Sequence, residues 1–307
     1  MKKKLTPYVI GIDIGGTNLR IGAVTSDYQL HNCKKVSSRK MLTTSTPLET
    51  LQEFIEHYME EQKDSVCLGI CIGFPGTVAQ DKHHVYSCPN LPSLSNINIG
   101  TPLSNYFNIP VIAEHDVILL LANDMIQKDI QHFNTIIALY IGTGLGNALF
   151  INGKFLTGKN GVSGELGHIP VSGSSRECPC GNRGCLELHC AGKRLEEIQK
   201  QHYPDIPLND IFLHFSSDSP LSEYLDYLAI AAATEINILD PDCILLSGGV
   251  INMTGFPIEY LKNRIYHYTR KPYPAQNLSY VTGTTHPFGG VLGAGIYLWN
   301  SSILKQK

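Results

Sequence analysis

The residues best suited to chemistry lie in one stretch, GVSGELGHIPVSGSSRECPCGNRGCLE, at positions 161–187. Cys178, Cys180 and Cys185 follow the spacing Cys-x-Cys-x4-Cys, and His168 stands shortly before them. Three soft thiolates and one imidazole make a Cys3His set that suits tetrahedral Zn²⁺. Gly181 and Gly184 fall between the last two sulfurs, where a tight knuckle needs residues that tolerate positive φ. The bland alternative is a loop of reduced thiols, or a disulfide pair with a spare. A closed four-ligand set leaves no open position, so the ion expected here is structural and does not activate water. Its expected work is to hold Glu165, His168 and Glu187 in place.

A second kind of chemistry is written in glycine turns. Residues 8–14 (YVIGIDI) form a β-rich run that ends in Gly15-Gly16-Thr17 and is followed by a second run at 19–24. Strand, glycine turn and strand bring backbone N–H groups close to an anion, with the Thr17 hydroxyl and Arg20 as supports. Alone, this is equally an ordinary hairpin. Asp13, carried just before the turn, makes sense where Mg²⁺ bridges a carboxylate and an anion. The pattern recurs at 135–151, where an apolar run leads through Gly142-Thr143-Gly144 into another. Two such units would grip a polyphosphate from both sides, and repetition of this kind bears directly on the fold. A third turn, Gly248-Gly249, follows the short apolar run 243–246, where a nucleotide base or ribose could lie on exposed backbone. Asp116 sits where a short strand, 110–113, gives way through Glu114-His115 to an apolar helix, 117–126. Such junctions carry sites in α/β folds, but on this stretch alone an N-cap for the helix is the favoured reading.

The elements that must position these residues alternate along the chain. Helical spacing is read at 47–63, 191–201, 221–239, 258–269 and 289–298, a buried strand at 66–74 and a hairpin segment at 78–86. With 307 residues, 43% hydrophobic and 17% charged, the chain reads as a soluble globular protein with room for two domains. A net charge of −3 gives no footprint for nucleic acid or an anionic membrane. No apolar run approaches the roughly 20 residues of a membrane span. The initial MKKKLTPYVIGIDIGG has an apolar part too short and too broken for a secretory signal. Nine cysteines, six of them scattered outside the knuckle, fit reduced thiols in the cytoplasm better than a disulfide framework.

In their order, IGIDIGGTNLRIG, IGTGLGNALFING, GVSGELGHIPV, CPCGNRGCLE and ILLSGGV resemble the ROK family of bacterial sugar kinases and sugar-responsive repressors, over residues 8–298. The resemblance implies an α/β, two-lobed, actin-like ATPase (ribonuclease H-like) fold, with sugar and ATP in an interlobe cleft. The lobes expected are 1–115 and 116–288, with a terminal helix at about 289–307 packing back on the first. By resemblance Asp116 is the catalytic aspartate, which reverses the cap reading. Glu165, His168 and Glu187 fall on positions that bind sugar hydroxyls, and Gly76 and Asn90 fall near the sugar rim. Asp13, Gly15, Gly16 and Thr17, with Gly142, Thr143 and Gly144, fall on the phosphate loops.

One departure stands out. The family usually has Asn immediately before the catalytic Asp and again two residues after it, where this chain has His115 and Ile118. An imidazole is bulkier than the amide and offers different donors, so a hexose other than plain glucose is expected. The whole pattern, including PNLP, resembles most the D-allose kinases within the family, with N-acetylmannosamine and glucose as rival substrates. ATP, Mg²⁺ and structural Zn²⁺ are the expected cofactors, and a homodimer the expected assembly. The rival from another class is a sugar-sensing regulator without catalysis. A repressor needs a helix-turn-helix ahead of the first turn, for which the seven residues before the first strand leave no room.

Overall fold

The computed structural model describes residues 6–305. The Lys run at the start of the chain therefore lies outside the described residues. Contacts divide the chain into two units. The first comprises the chain up to Asp129, the segment Thr157–Val162 and everything from His286 onward; the second comprises Ile130–Leu156 and Ser163–Thr285.

In the first unit, β1 (Thr6–Ile14), β2 (Asn18–Val24) and β3 (Leu30–Ser37) form an antiparallel meander. Two helices, α1 (Ser38–Leu42) and α2 (Pro47–Glu60), lead to β4 (Ser65–Phe74), which lies parallel to β1. A small antiparallel sheet of β5 (Thr77–Val78), β6 (His84–Ser87) and β7 (Ile97–Asn98) follows, then α3 (Gly100–Phe107). β8 (Val111–His115) pairs parallel with β4, so the main sheet runs β3-β2-β1-β4-β8. It hands the chain to α4 (Asp116–Gln127). β1 and β4 are covered on both faces and read as nearly continuous apolar runs. In α2, Pro47, Leu51, Ile55 and Tyr58 are buried at helical spacing, which is the amphipathic stripe read from sequence.

The second unit repeats the scheme. β9 (Thr135–Ile141), β10 (Leu145–Ile151) and β11 (Lys154–Phe155) form the meander. The cysteine knuckle, α5 (Glu187–Cys190), α6 (Gly192–His202) and α7 (Pro220–Leu239) intervene. β12 (Cys243–Ser247) then lies parallel to β9. After α8 (Ile258–Tyr268), β13 (Ser279–Thr282) lies parallel to β12. The resulting order, β11-β10-β9-β12-β13, is the order of the first sheet position for position. The repetition seen at two glycine turns thus extends to the whole sheets.

The chain ends with α9 (Gly289–Asn300), which packs on β1 and α4 of the first unit, and a last turn of helix, α10 (Ser302–Lys305). Against β1 the closest approach is at Gly11, where an added Cβ would stand 2.0 Å from the backbone oxygen of Val291. Gly11→Ala is therefore expected to force β1 and α9 apart and to cost about 1–3 kcal/mol. A lower urea midpoint at unchanged slope would show it; an unchanged midpoint would mean the helix shifts freely.

Several expectations need correcting. The first unit does not stop at residue 115: α4 packs on α9 and the division falls after Asp129. The hairpin segment read at 78–86 is met by β5 and β6, which pair antiparallel across a turn. β3, α3 and β13 lie outside the elements that the sequence patterns mark; β3 is mostly polar and half exposed, so it carries no apolar alternation. Cys33, on β3, is exposed, unlike the other five cysteines outside the knuckle. Among the described residues no helix is long and apolar enough to cross a membrane.

Candidate active site

In the first unit, strand register gathers the acidic residues. β1, β4 and β8 are parallel, with Asp13 opposite Gly73 and Gly73 opposite Glu114. Asp13 and Asp116 therefore stand at the same end of the sheet, with a residue that has no side chain between their strands. Arg20, opposite Asp13 on β2, bonds it at 3.2 Å. Burial, and then the charge of Asp116, raise Asp13 from 3.8 to about 6, against the pull of Arg20. Burial also lifts Asp116 above the ordinary carboxylate range, opposed by His115 and by the N–H of Val117. His115 Nε2 lies 3.7 Å from Asp116 Oδ1, and the Val117 N–H donates to the same oxygen at 2.8 Å.

The cap reading of Asp116 is not met. The N-cap position is His115, whose side chain makes no capping bond, and Asp116 is the first helical residue. At that position its carboxylate sits at the positive end of the α4 dipole, which favours an anion there.

The first glycine turn is braced from α1, a feature the sequence did not betray. Ser38 Oγ donates to the Gly15 oxygen at 2.7 Å, and Arg39 Nε donates to the Gly16 oxygen at 3.1 Å. Thr17 is exposed at the tip. Asn90 lies directly over Gly16, where an added Cβ would be 2.9 Å from the Asn90 Cβ. Asn90 and the first glycine turn are thus neighbours. Gly76 is accounted for by the chain itself: it is wedged against β6, 2.0 Å from the Ser87 oxygen for any added Cβ.

In the second unit, Gly142-Thr143-Gly144 closes with a bond from the Gly142 N–H to the Gly144 oxygen at 3.0 Å. Glu187 Oε2 accepts from the Leu145 N–H at 3.3 Å and would be 2.9 Å from a Cβ on Gly144. The structure thus ties the knuckle's second acid to this turn. Gly248, at φ +102°, packs on the end of β9, where the Val250 N–H bonds the Ile141 oxygen at 3.0 Å, and Gly249 has open space above it.

The knuckle brings its four candidate ligands together. Their ligating atoms all lie within 4.8 Å of one another. Cys180 Sγ and Cys185 Sγ are 3.6 Å apart, and Cys178 Sγ is 3.7 Å from His168 Nδ1. A tetrahedron with Zn–S bonds of about 2.3 Å has edges near 3.8 Å, so the donor set fits Zn²⁺. The chemistry agrees: burial, with two neighbouring thiols, pushes Cys185 up to about 12, so three thiolates need a cation to coexist. His168 turns its other nitrogen, Nε2, to Glu165 Oε2 at 3.5 Å, the arrangement that orients a metal-bound imidazole. Gly181 and Gly184 have positive φ, as their places between the sulfurs required.

With this geometry in view, comparison with known proteins names the family. The ROK family profile matches residues 9–301, and the chain belongs to that family. The N-acetyl-D-glucosamine kinase of Yersinia pseudotuberculosis serotype O:3 (strain YPIII) is 26% identical over 263 residues, 79% of this chain and 84% of the relative. The ROK family glucokinase of Streptomyces griseus, solved with glucose and AMPPNP, matches with a TM-score of 0.76 at 21% identity, over 94% of this chain and 98% of that one. A ROK family transcriptional regulator, a homolog of the E. coli MLC protein, matches with a TM-score of 0.81 at 22% identity, over 99% of this chain and 81% of that one. The fold is the actin-like ATPase fold of these proteins.

Proposed function

We propose that this chain is an ATP-dependent sugar kinase that phosphorylates the primary hydroxyl of a hexose, with D-allose as the substrate. The observation that carries the reading is the pairing of Asp13 and Asp116 at one end of the first sheet, beside the glycine turn and Asn90. Two recessed carboxylates with one guanidinium leave a negative excess that suits a divalent cation. Asp13 would hold Mg²⁺ through water, and the ion, when bound, neutralises charge on the phosphates of ATP.

Asp116 accepts the proton of the sugar hydroxyl as that oxygen attacks the γ-phosphorus. The glycine turns offer backbone N–H groups to the phosphates. Glu165 and His168, held by the zinc knuckle, orient the ring, and Glu187 fixes the second turn. Much of the rate in phosphoryl transfer comes from such positioning. His115, where the family usually has Asn, is the residue that favours a hexose other than glucose. The relatives also bring N-acetyl-D-glucosamine forward as a rival substrate. The fold is shared with a regulator, so fold does not choose between catalysis and sensing; Asp116 and the two phosphate turns favour catalysis. A cytoplasmic location and a homodimer belong to the same proposal, the first supported by nine cysteines without a disulfide.

ADP release coupled to a panel of D-allose, N-acetylmannosamine, N-acetylglucosamine and glucose tests the reading. Sugar-dependent release, greatest with D-allose, is expected; binding of sugar without release would make the protein a sensor.

The acid pair also sets a pH dependence. Asp116 must be ionised to take a proton and Asp13 to hold the cation, and both are raised. Both lose charge as pH falls, so kcat/KM is expected to drop below a midpoint near 6, well above the ordinary 3.8. A pH–rate profile at limiting Mg²⁺, where the cation does not itself hold Asp13 ionised, that stays flat down to about pH 5 would contradict this.

A further inference from the structure

Glu114 immediately precedes His115 and Asp116 and is 1% exposed. Lys82 Nζ donates to both of its oxygens, at 2.9 and 2.7 Å. The backbone N–H of His115 donates to Oε1 at 2.9 Å, and the hydroxyl of Tyr297 on α9 bonds the same carboxylate. Lys82 is itself held in an unusual place. It sits between β5 and β6 at φ +61°, a left-handed conformation that a lysine adopts rarely. Its carbonyl accepts from the Ala113 N–H at 2.7 Å, and beside it Asp81 Oδ1 accepts from the N–H groups of His83 and His84. Backbone and side chain together staple this turn to β8.

A buried ion pair is a poor stabiliser, because desolvation cancels most of the attraction. What this one controls is direction. The His115 N–H belongs to the peptide from which the imidazole and then the Asp116 carboxylate depart. Rotation of that peptide would re-aim both. We propose that Glu114, balanced by Lys82, is a positioning residue that fixes the Glu114–His115 peptide and thereby aims Asp116. Lys82 extends the effect to the small sheet, whose strand β6 leads into the loop carrying Asn90. The sugar rim and the base are then set by one buried contact. This proposal rests on the kinase reading.

The test uses the full chain with its zinc. Glu114→Gln keeps an oxygen for the His115 N–H but leaves Lys82 unbalanced; Lys82→Met does the reverse. Each is expected to lower kcat by about 10- to 100-fold with KM for ATP changed less than about twofold. Lys82→Arg should recover most of the loss. In an Asp116→Asn background, Glu114→Gln should cost less than about twofold, because its effect passes through the aspartate. A purely structural role would multiply the losses and track the folded fraction seen by circular dichroism. A second readout needs no turnover: the Asp116 carboxyl titration and the His115 amide resonance, read by NMR, should both move in Glu114→Gln and Lys82→Met and return in Lys82→Arg. Full additivity with Asp116→Asn, or both resonances unmoved, would overturn the proposal. Should the wild type phosphorylate no sugar, the kinase reading fails while the NMR arm still judges the positioning.

Discussion

Asp116→Asn should lower kcat by about 10²- to 10⁴-fold, the usual worth of a positioned general base, and leave sugar affinity nearly unchanged. The amide has the shape of the acid and keeps an oxygen for the Val117 N–H, which now bonds Oδ1 at 2.8 Å. The start of α4 therefore survives. What disappears is the group that takes the proton, and with it the charge that adds to burial in raising Asp13. Two consequences separate this from general damage. Sugar binding, read by calorimetry, should stay within about threefold of the wild type, because ground-state contacts are kept. Any residual activity should also keep its rate at lower pH, because Asp13 titrates lower once its neighbour is neutral. A variant that retains more than about a tenth of the wild-type kcat would remove Asp116 from the role of base.

Replacing Cys178, Cys180 and Cys185 together by serine should release the metal and unfasten the loop that carries Glu165 and His168. Structural zinc contributes an apparent ~10–16 kcal/mol in small domains that fold around it. Here only a knuckle depends on it, so a local loss is expected rather than global unfolding. β9, β10 and α7 have their own core around Leu139, Leu149, Leu225 and Leu228. Sugar affinity should weaken by at least about tenfold, or ~1.4 kcal/mol, with a lower melting temperature. Zinc content by elemental analysis should fall from stoichiometric to background. Glu187 starts α5 just beyond Cys185 and should lose its hold on the Leu145 N–H, loosening the second glycine turn. If the wild type carries no stoichiometric zinc and the triple variant binds sugar normally, the knuckle is not the brace inferred here.

Legibility followed distance along the chain. The cysteine spacing, the glycine turns and the apolar strands are local patterns, and local sterics and ligand chemistry decide them. β9 and α8 appear almost where periodicity placed them. β3 was missed because a mostly polar strand at the edge of its sheet carries little hydrophobic alternation. Asp116 was harder: cap and first helical residue differ by one position, which lies within the usual uncertainty of a helix boundary. The resemblance, not the residues, gave it an expected catalytic role. The Lys82–Glu114 contact spans 32 positions and has no motif.

By itself, the sequence determined the candidate Cys3His set and the repeated strand–glycine–strand unit, because each is a matter of residue types at short, fixed intervals; the sugar-kinase class came through the order of the motifs that resemble the ROK family. Tertiary structure alone decided that Asp13 and Asp116 share one field, that Asn90 covers Gly16, and that Glu114 is pinned beneath His115. Those relations depend on the register of three parallel strands and on which side chains burial leaves without water. No interval along the chain encodes them.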